Sequence, residues 1–183
     1  MSSPSERKRR FEVVAAEVYE PLQRYLRRRA PFDDADDVLG DTMLTVWRRL
    51  DDIPNDAVLP WCYGVARRLL ANKRRSNARH LKLIARAGAM EPTPISGDPM
   101  DREEFPHLAD AMAALPESDR ELLTLWAWEE LEPREIAIVL DTSANAVSLK
   151  LGRAKKKLAD ELDRQNEGSA GHGTDEHTQE HRP

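Results

Sequence analysis

Three groups of side chains in this sequence have the types and spacing to do chemistry. The first is acidic: Asp33/Asp34, Asp36/Asp37 and Asp51/Asp52 are carboxylate pairs of the sort that hold a metal, but no histidine or glycine-rich loop accompanies them. The chain is therefore read as not an enzyme and as needing no cofactor. The second group is basic. Trp61 leads a run containing Arg67, Arg68, Asn72, Lys73, Arg74, Arg75 and Arg79, with Asn55 and Asp56 in the segment before it. Cations that follow a phosphate backbone beside an aromatic ring and amide groups suit single-stranded nucleic acid, where bases are exposed for stacking and for hydrogen bonding at their edges. A solvated basic face is the competing reading. The third group is Asn145, Ser148, Lys150, Arg153 and Lys156, at helical spacing and without interleaved acids, which suits a duplex groove and its flanking phosphates.

Isolated residues add little. His172, His177 and His181 lie in an acidic, polar tail and are read as solvated side chains, while Cys62, next to Trp61, is read as a small core residue.

Helices must position these groups. Charged residues make up 33% of the chain and aromatics 5%, a composition of helix formers, and the fold class is all-α. Val14, Val18, Leu22 and Leu26 form one apolar stripe over residues 11–29. After Pro31 an acidic start favours a second helix reaching residue 50, with Leu39, Met43, Val46/Trp47 and Leu50 inward and Asp37, Asp41 and Arg48 on the opposite face. A loop over 51–59 precedes a third helix over 60–79, which packs through Val65, Ala66, Leu69 and Leu70. Residues 82–105 lose the pattern and collect Gly88, Pro92, Pro94, Gly97 and Pro99, as a flexible linker does. Two short helices follow from residue 106. Ile136, Ala137 and Leu140, the polar turn Asp141-Thr142-Ser143, and Val147, Leu151, Ala154 and Leu158 then make a helix-turn-helix pattern, for which a plain helical hairpin is the bland alternative. The expected organisation is a disordered basic arm (1–10), a first helical domain (11–80), a linker (81–105), a second domain containing the helix-turn-helix (106–165) and a disordered tail (166–183).

The formal charge of −5 hides an asymmetry: residues 1–80 carry 16 Lys/Arg against 12 Asp/Glu, whereas 106–165 carry 8 against 12. Five of those eight cations fall between Lys150 and Lys157, so a basic stripe sits within an acidic domain. One cysteine cannot form an internal disulfide, and neither a membrane-spanning run nor a signal-peptide core is visible, so a cytoplasmic protein without membrane insertion is expected.

Four of these segments resemble the motifs of sigma factors, taken in order along the chain. DDADDVLGDTMLTVWRRL at 33–50 resembles the polymerase-binding helix written D-A-E-D, two hydrophobics, Q-E-T-F-L-x-x-W, with Gly40 where glutamine is usual. WCYGVARRLLANKRR at 61–75 resembles the next helix, W-L-x-x-I-A-R-N-x-x-x-D-x-x-R. ALPESDRELL at 114–123 is similar to A-L-P-x-x-x-R-E, and 135–158 resembles the family's helix-turn-helix, with Asp141 in place of the usual turn glycine. No room exists for the intermediate domain of housekeeping sigma factors, so the chain is identified as a member of the extracytoplasmic-function type.

The resemblance implies a protein that brings core RNA polymerase to promoter DNA, melts it and initiates transcription for a specialised, stress-related regulon. It implies polymerase contacts at Asp37, Asp41 and Arg48. It places Asn55, Asp56, Trp61, Arg67, Asn72, Lys73, Arg74 and Arg75 at the melted minus-ten strand. Asn145, Ser148, Leu149, Lys150, Arg153 and Lys156 would face the minus-thirty-five duplex, with Leu149 against a thymine methyl. An anti-sigma factor is a further partner that the resemblance allows. The competing reading is a helix-turn-helix regulator that acts on duplex DNA without being a polymerase subunit; a purely interacting helical protein ranks third.

Overall fold

The computed structural model describes residues 3–86 and 105–170. All regular elements among them are helical: α1 (Pro4–Arg27), α2 (Phe32–Arg48), α3 (Val58–Arg86), α4 (Pro106–Ala114), α5 (Glu117–Ala127), α6 (Pro133–Leu140) and α7 (Ala144–Ala170), with one 3₁₀ turn at Leu50–Asp52. Helices α1 to α3 pack on one another, and α4, α5 and α6 pack around α7, giving the expected all-α pair of bundles.

Local chemistry explains most of the boundaries. α1 begins at Pro4, which corrects the expectation of a disordered arm over 1–10. Ser3 Oγ accepts from the Glu6 N–H at 3.2 Å while Glu6 Oε2 accepts from the Ser3 N–H at 2.7 Å, a reciprocal capping box with proline in the first turn. This first stretch has no apolar stripe, and hydrophobic periodicity alone does not detect a helix held by its cap and by arginine contacts. Further along, Val14, Val18, Leu22, Tyr25 and Leu26 are buried, as the stripe predicts, and the helix runs through Pro21. In α2 the inward residues are Ala35, Val38, Leu39, Thr42 and Val46. Trp47, expected inward, is 38% exposed and meets Phe11 of α1 edge-on, ring centroids 5.2 Å apart.

Two boundaries move. α3 starts two residues before Pro60 and reaches Arg86, so residues 81–86 of the expected linker are helix, while 87–104 lie outside the described residues. α7 extends past residue 165 to Ala170; the tail from 171, with His172, His177 and His181, also lies outside them.

The turn between α6 and α7 follows the expected plan. Asp141 adopts φ 52° and ψ 56°, the left-handed conformation that closes a helix and that aspartate tolerates better than most residues. The Thr142 N–H returns to the Ala137 carbonyl at 3.0 Å, and Ser143 Oγ accepts from the Ala146 N–H at 3.2 Å, starting α7. Ala137, Val147, Leu151 and Ala154 are buried at the crossing of the two helices.

One apolar cluster spans both bundles, because α3 lies against α6. The helices meet closely at Gly64, where a Cβ would sit 3.4 Å from the Val139 carbonyl oxygen, in van der Waals contact. Polar contacts flank that seam. Glu129, its side chain 3% exposed, accepts from Arg28 at 2.7 Å and from Arg29 at 2.9 Å, and Tyr63 donates to it at 3.3 Å. Arg29 also reaches Thr124 Oγ1 at 3.1 Å. A buried carboxylate needs such a complement of donors, since leaving it unpaired would cost several kcal/mol. Beside it Glu130 takes φ 54°, a strained value for glutamate, in a turn anchored by buried Leu131, whose N–H returns to the Leu125 carbonyl at 3.2 Å.

Candidate polymerase and nucleic-acid interface

The outer face of α2 forms because its inner face is used in packing. Asp37, Asp41 and Arg48 are all exposed on it, and Leu44, 44% exposed, falls into the same stripe. Sequence reasoning passed over Leu44, although the steps from 37 to 41, 44 and 48 would have found it. Asp37 accepts from Lys73 Nζ of α3 at 2.8 Å, and Asp34 is 3.4 Å from the same nitrogen. The hydrogen bond to Asp37 is the main reason the Lys73 ammonium is held above its ordinary pKa. Asp37 is 67% exposed, so this pair exchanges readily with an outside partner.

The basic residues of α3 are brought to one helix but not to one free surface. Arg67 turns toward the second bundle, where its Nε and Nη2 donate to the two carboxylate oxygens of Glu121 at 2.6 and 3.0 Å. That bidentate contact raises the guanidinium pKa further, against the opposing effect of partial burial. Arg74 donates to the Arg29 carbonyl at 2.6 Å, and Arg75 to Asn72 Oδ1 at 2.7 Å. Trp61 is half-buried with the Arg49 guanidinium 5.4 Å from its ring centroid, and it lines a cleft of about 610 Å³ shared with Arg68 and with Arg134, Ile138 and Thr142 of the second bundle. Neither pairing was visible from the sequence, because a glutamate on a helical pattern carries no sign that its partner lies 54 residues away, as for Glu121, or 100 and 101, as for Glu129.

Asn55 and Asp56 are exposed at the tip of the loop between α2 and α3, whose two ends are fixed by the buried side chains of Ile53 and Ala57. The N-terminal helix supports this loop. Arg7 donates to Asp51 at 2.6 Å and to the Trp47 carbonyl at 2.7 Å, and Arg10 donates to Asn55 Oδ1 at 3.3 Å and the Ile53 carbonyl at 3.4 Å. Both arginines were taken for part of a mobile arm, because their partners lie 40 to 45 residues away in sequence.

The outer face of α7 is arranged differently. Asn145, Ser148, Leu149, Lys150, Arg153 and Lys156 are exposed along it, opposite buried Val147, Leu151 and Ala154. Lys150, Arg153 and Lys156 have no hydrogen-bond or ion-pair partner among the described residues. Ser148 Oγ donates to the Ala144 carbonyl at 3.0 Å and keeps its lone pairs for another donor. Neighbouring cations serve the fold: Lys157 pairs with Asp119 at 2.5 Å, and Lys155 lies 3.3 Å from the centroid of the Trp126 ring.

Cys62 is fully buried, and burial pushes its thiol up to about 12, so it is a core residue without nucleophilic character at neutral pH. Among the described residues no cluster of histidine, cysteine and carboxylate side chains could hold a metal, and no helix is long and apolar enough to cross a membrane.

Comparison with known proteins agrees with this geometry bundle by bundle. Residues 13–80 match sigma-70 region 2, and residues 107–158 match sigma-70 region 4. The RNA polymerase sigma factor NccH of Alcaligenes xylosoxydans xylosoxydans is 30% identical over 135 residues, covering 70% of this chain and 73% of its own. The RNA polymerase sigma factor CnrH of Cupriavidus metallidurans is 29% identical over 149 residues, 75% of this chain and 78% of its own. The solved structure of CnrH in complex with the cytosolic domain of CnrY superposes with a TM-score of 0.57 at 28% identity, over 86% of this chain and 90% of that one. The fold is also that of the sigma factor RpoE from Bartonella quintana, solved with the anti-sigma factor NepR, at a TM-score of 0.60 and 17% identity over 84% of this chain and 96% of that one. With both family regions matched in order on the two helical bundles, the chain belongs to the sigma-70 family and is an RNA polymerase sigma factor of the extracytoplasmic-function type.

Proposed function

We propose that this sigma factor divides its work among three surfaces. The outer face of α2, with Asp37, Asp41, Leu44 and Arg48, docks on basic residues of core RNA polymerase. The α2–α3 loop and α3 hold the melted minus-ten strand, Asn55 and Asp56 meeting base edges and Trp61 offering a stacking ring. The outer face of α7 binds the minus-thirty-five duplex. The observation that carries the reading is the α7 face, where three exposed cations lack any internal partner among the described residues while the inner side of the same helix is tightly packed. Unpaired cations on a rigid helix suit phosphates, and Asn145, Ser148 and Leu149 beside them suit groove edges.

The packed arrangement adds a partner to this reading. A sigma factor that contacts two promoter elements at once must separate them over the intervening duplex, whereas here α3 lies on α6 and Arg67 is committed to Glu121. This closed form is the state an anti-sigma factor holds, as the superposition on CnrH with the CnrY cytosolic domain supports. Polymerase and promoter hold the opened one. Transcription from fragmented genomic DNA with core polymerase tests the whole: defined start sites are expected when both proteins are present. Specific duplex binding by the chain alone, with no start sites, would support a regulator that is not a polymerase subunit. Reversing charge with Asp37→Arg and Asp41→Arg together should weaken core binding by about tenfold or more, as expected for two charge-complementary rim contacts.

A further inference from the structure

The N-terminal helix has a place in this arrangement that none of the three surfaces requires. Its first two turns lack an apolar stripe, yet Arg7 is 27% exposed at its side chain and makes four polar or aromatic contacts. Two of these go to the Trp47 and Arg48 carbonyls, which end α2 and have no helical donor of their own. The loop that follows is thereby fixed at its origin. One turn on, Arg10 spreads its guanidinium over the loop itself: Nη2 donates to the Ile53 carbonyl at 3.4 Å and to Asn55 Oδ1 at 3.3 Å, while Nη1 lies 3.6 Å from Asp51.

The contact to Asn55 is specific in direction. An asparagine amide has an acceptor end and a donor end, and a guanidinium has donors only. With Oδ1 occupied by Arg10, the Nδ2 group is left without a hydrogen-bond partner among the described residues. Asp56, next in the loop and equally exposed, is an acceptor. We infer that Arg10, supported by Arg7, is a positioning residue for promoter reading: it holds the Asn55 amide so that its NH2 group presents a donor to an acceptor edge of one unpaired base in the minus-ten strand. Without it, the amide rotates and either end can face the base. This rests on the assignment of the α2–α3 loop to the melted strand.

The test uses holoenzyme reconstituted from the full chain and core polymerase, on a promoter pool randomised across the minus-ten element, with transcript counts giving the base preference at each position. Asn55→Ala should flatten the preference at one position by about tenfold, the size of one base-edge contact. Arg10→Ala should flatten the same position to a comparable extent, leaving the other positions and duplex binding at minus-thirty-five as they are. Arg10→Lys, which keeps a donor in reach of Oδ1, should restore more than half of the preference on a logarithmic scale. The Asn55→Ala/Arg10→Ala pair should lose no more than Asn55→Ala alone, because both act through one contact. If Arg10→Ala lowers transcript yield equally for every base while Asn55→Ala flattens one position, Arg10 is only a strut and the inference is overturned. If Asn55→Ala changes no preference, the loop does not read the strand, and the surface assignment falls together with this one.

Discussion

The two basic helices of this protein look alike in sequence and differ in what their cations do. On α3, Arg67, Lys73, Arg74 and Arg75 have partners within the fold, namely Glu121, Asp34 and Asp37, the Arg29 carbonyl and Asn72, while exposed Arg68 and Arg79 have none among the described residues. On α7, Lys150, Arg153 and Lys156 project without one among the described residues. The contrast follows from position. α3 is central, touching α1, α2 and α6, so Arg67, Lys73 and Arg74 find acceptors on neighbouring elements, whereas α7 meets its own bundle along one side only. A duplex can bind α7 with little cost in broken contacts. A strand that binds α3 must exchange protein acceptors for phosphates, and for Arg67 that exchange is tied to separating the bundles.

The largest effect that would sharpen this contrast is at the seam. Glu129→Ala removes a carboxylate that is 3% exposed and leaves Arg29, 10% exposed, without its main counter-charge. Such a change should destabilise the packed form by about 3–5 kcal/mol. Denaturation should then split into two transitions, and scattering should show a larger radius, both without loss of helix content. Retention of a single transition at the original midpoint would mean that the seam is held by the α3–α6 apolar contact alone.

Arg67→Ala is expected to act in the same direction and more weakly. Its partner Glu121 is 25% exposed and Arg67 itself 38%, so solvent screening leaves roughly 1 kcal/mol in the pair. The packed form should loosen slightly, while affinity for a premelted strand falls if Arg67 follows the backbone. A rise in strand affinity would show that Arg67 serves the seam and not the strand.

A comparably modest effect is expected with pH. Burial raises the Tyr25 phenol to about 12, raises that of Tyr63 as well, and raises the Cys62 thiol to about 12. These groups are neutral in the folded state and ionise more easily when unfolded, near about 8.5 for a thiol and about 10 for a phenol. Stability from this source is therefore fully present below about pH 8.5 and is lost as pH rises toward 12. Native Cys62 should resist alkylation at pH 8 and react at once in denaturant. Rapid labelling of the native chain would contradict its burial.

Much of this fold is legible from apolar spacing. The stripes of α1 and α7 give the buried residues almost one for one, since an amphipathic helix has a single way to hide them. Asp141 is also legible, as a left-handed turn residue between two periodic runs. What is not legible is held by polar contacts over long separations: the Ser3 capping box extends α1 beyond its apolar stripe, Arg10 finds Asn55, and Glu129 finds Arg28 and Arg29. The candidate site divides in the same way. Exposed α7 residues can be picked out because they oppose a stripe, but the pairing of Arg67 with Glu121 depends on how two bundles meet, and each of those faces has a sequence that also suits solvent. Trp47 shows the converse, an aromatic at an inward spacing that is 38% exposed, with Phe11 edge-on and the Arg7 guanidinium against its ring.

The smallest structural effect, and the most direct test of the division of labour, belongs to Lys150→Ala with Arg153→Ala. Both side chains are exposed opposite the buried stripe, so stability should change by no more than about 0.5 kcal/mol. On duplex promoter, each lost phosphate contact should reduce the slope of log affinity against log salt by about one. Holoenzyme carrying the double variant should then be compared with the unaltered protein on a duplex template and on a template already melted across the minus-ten element. The account predicts a large loss on duplex and a much smaller one on the premelted template, where α3 and its loop still hold the strand; equal losses on both would contradict it.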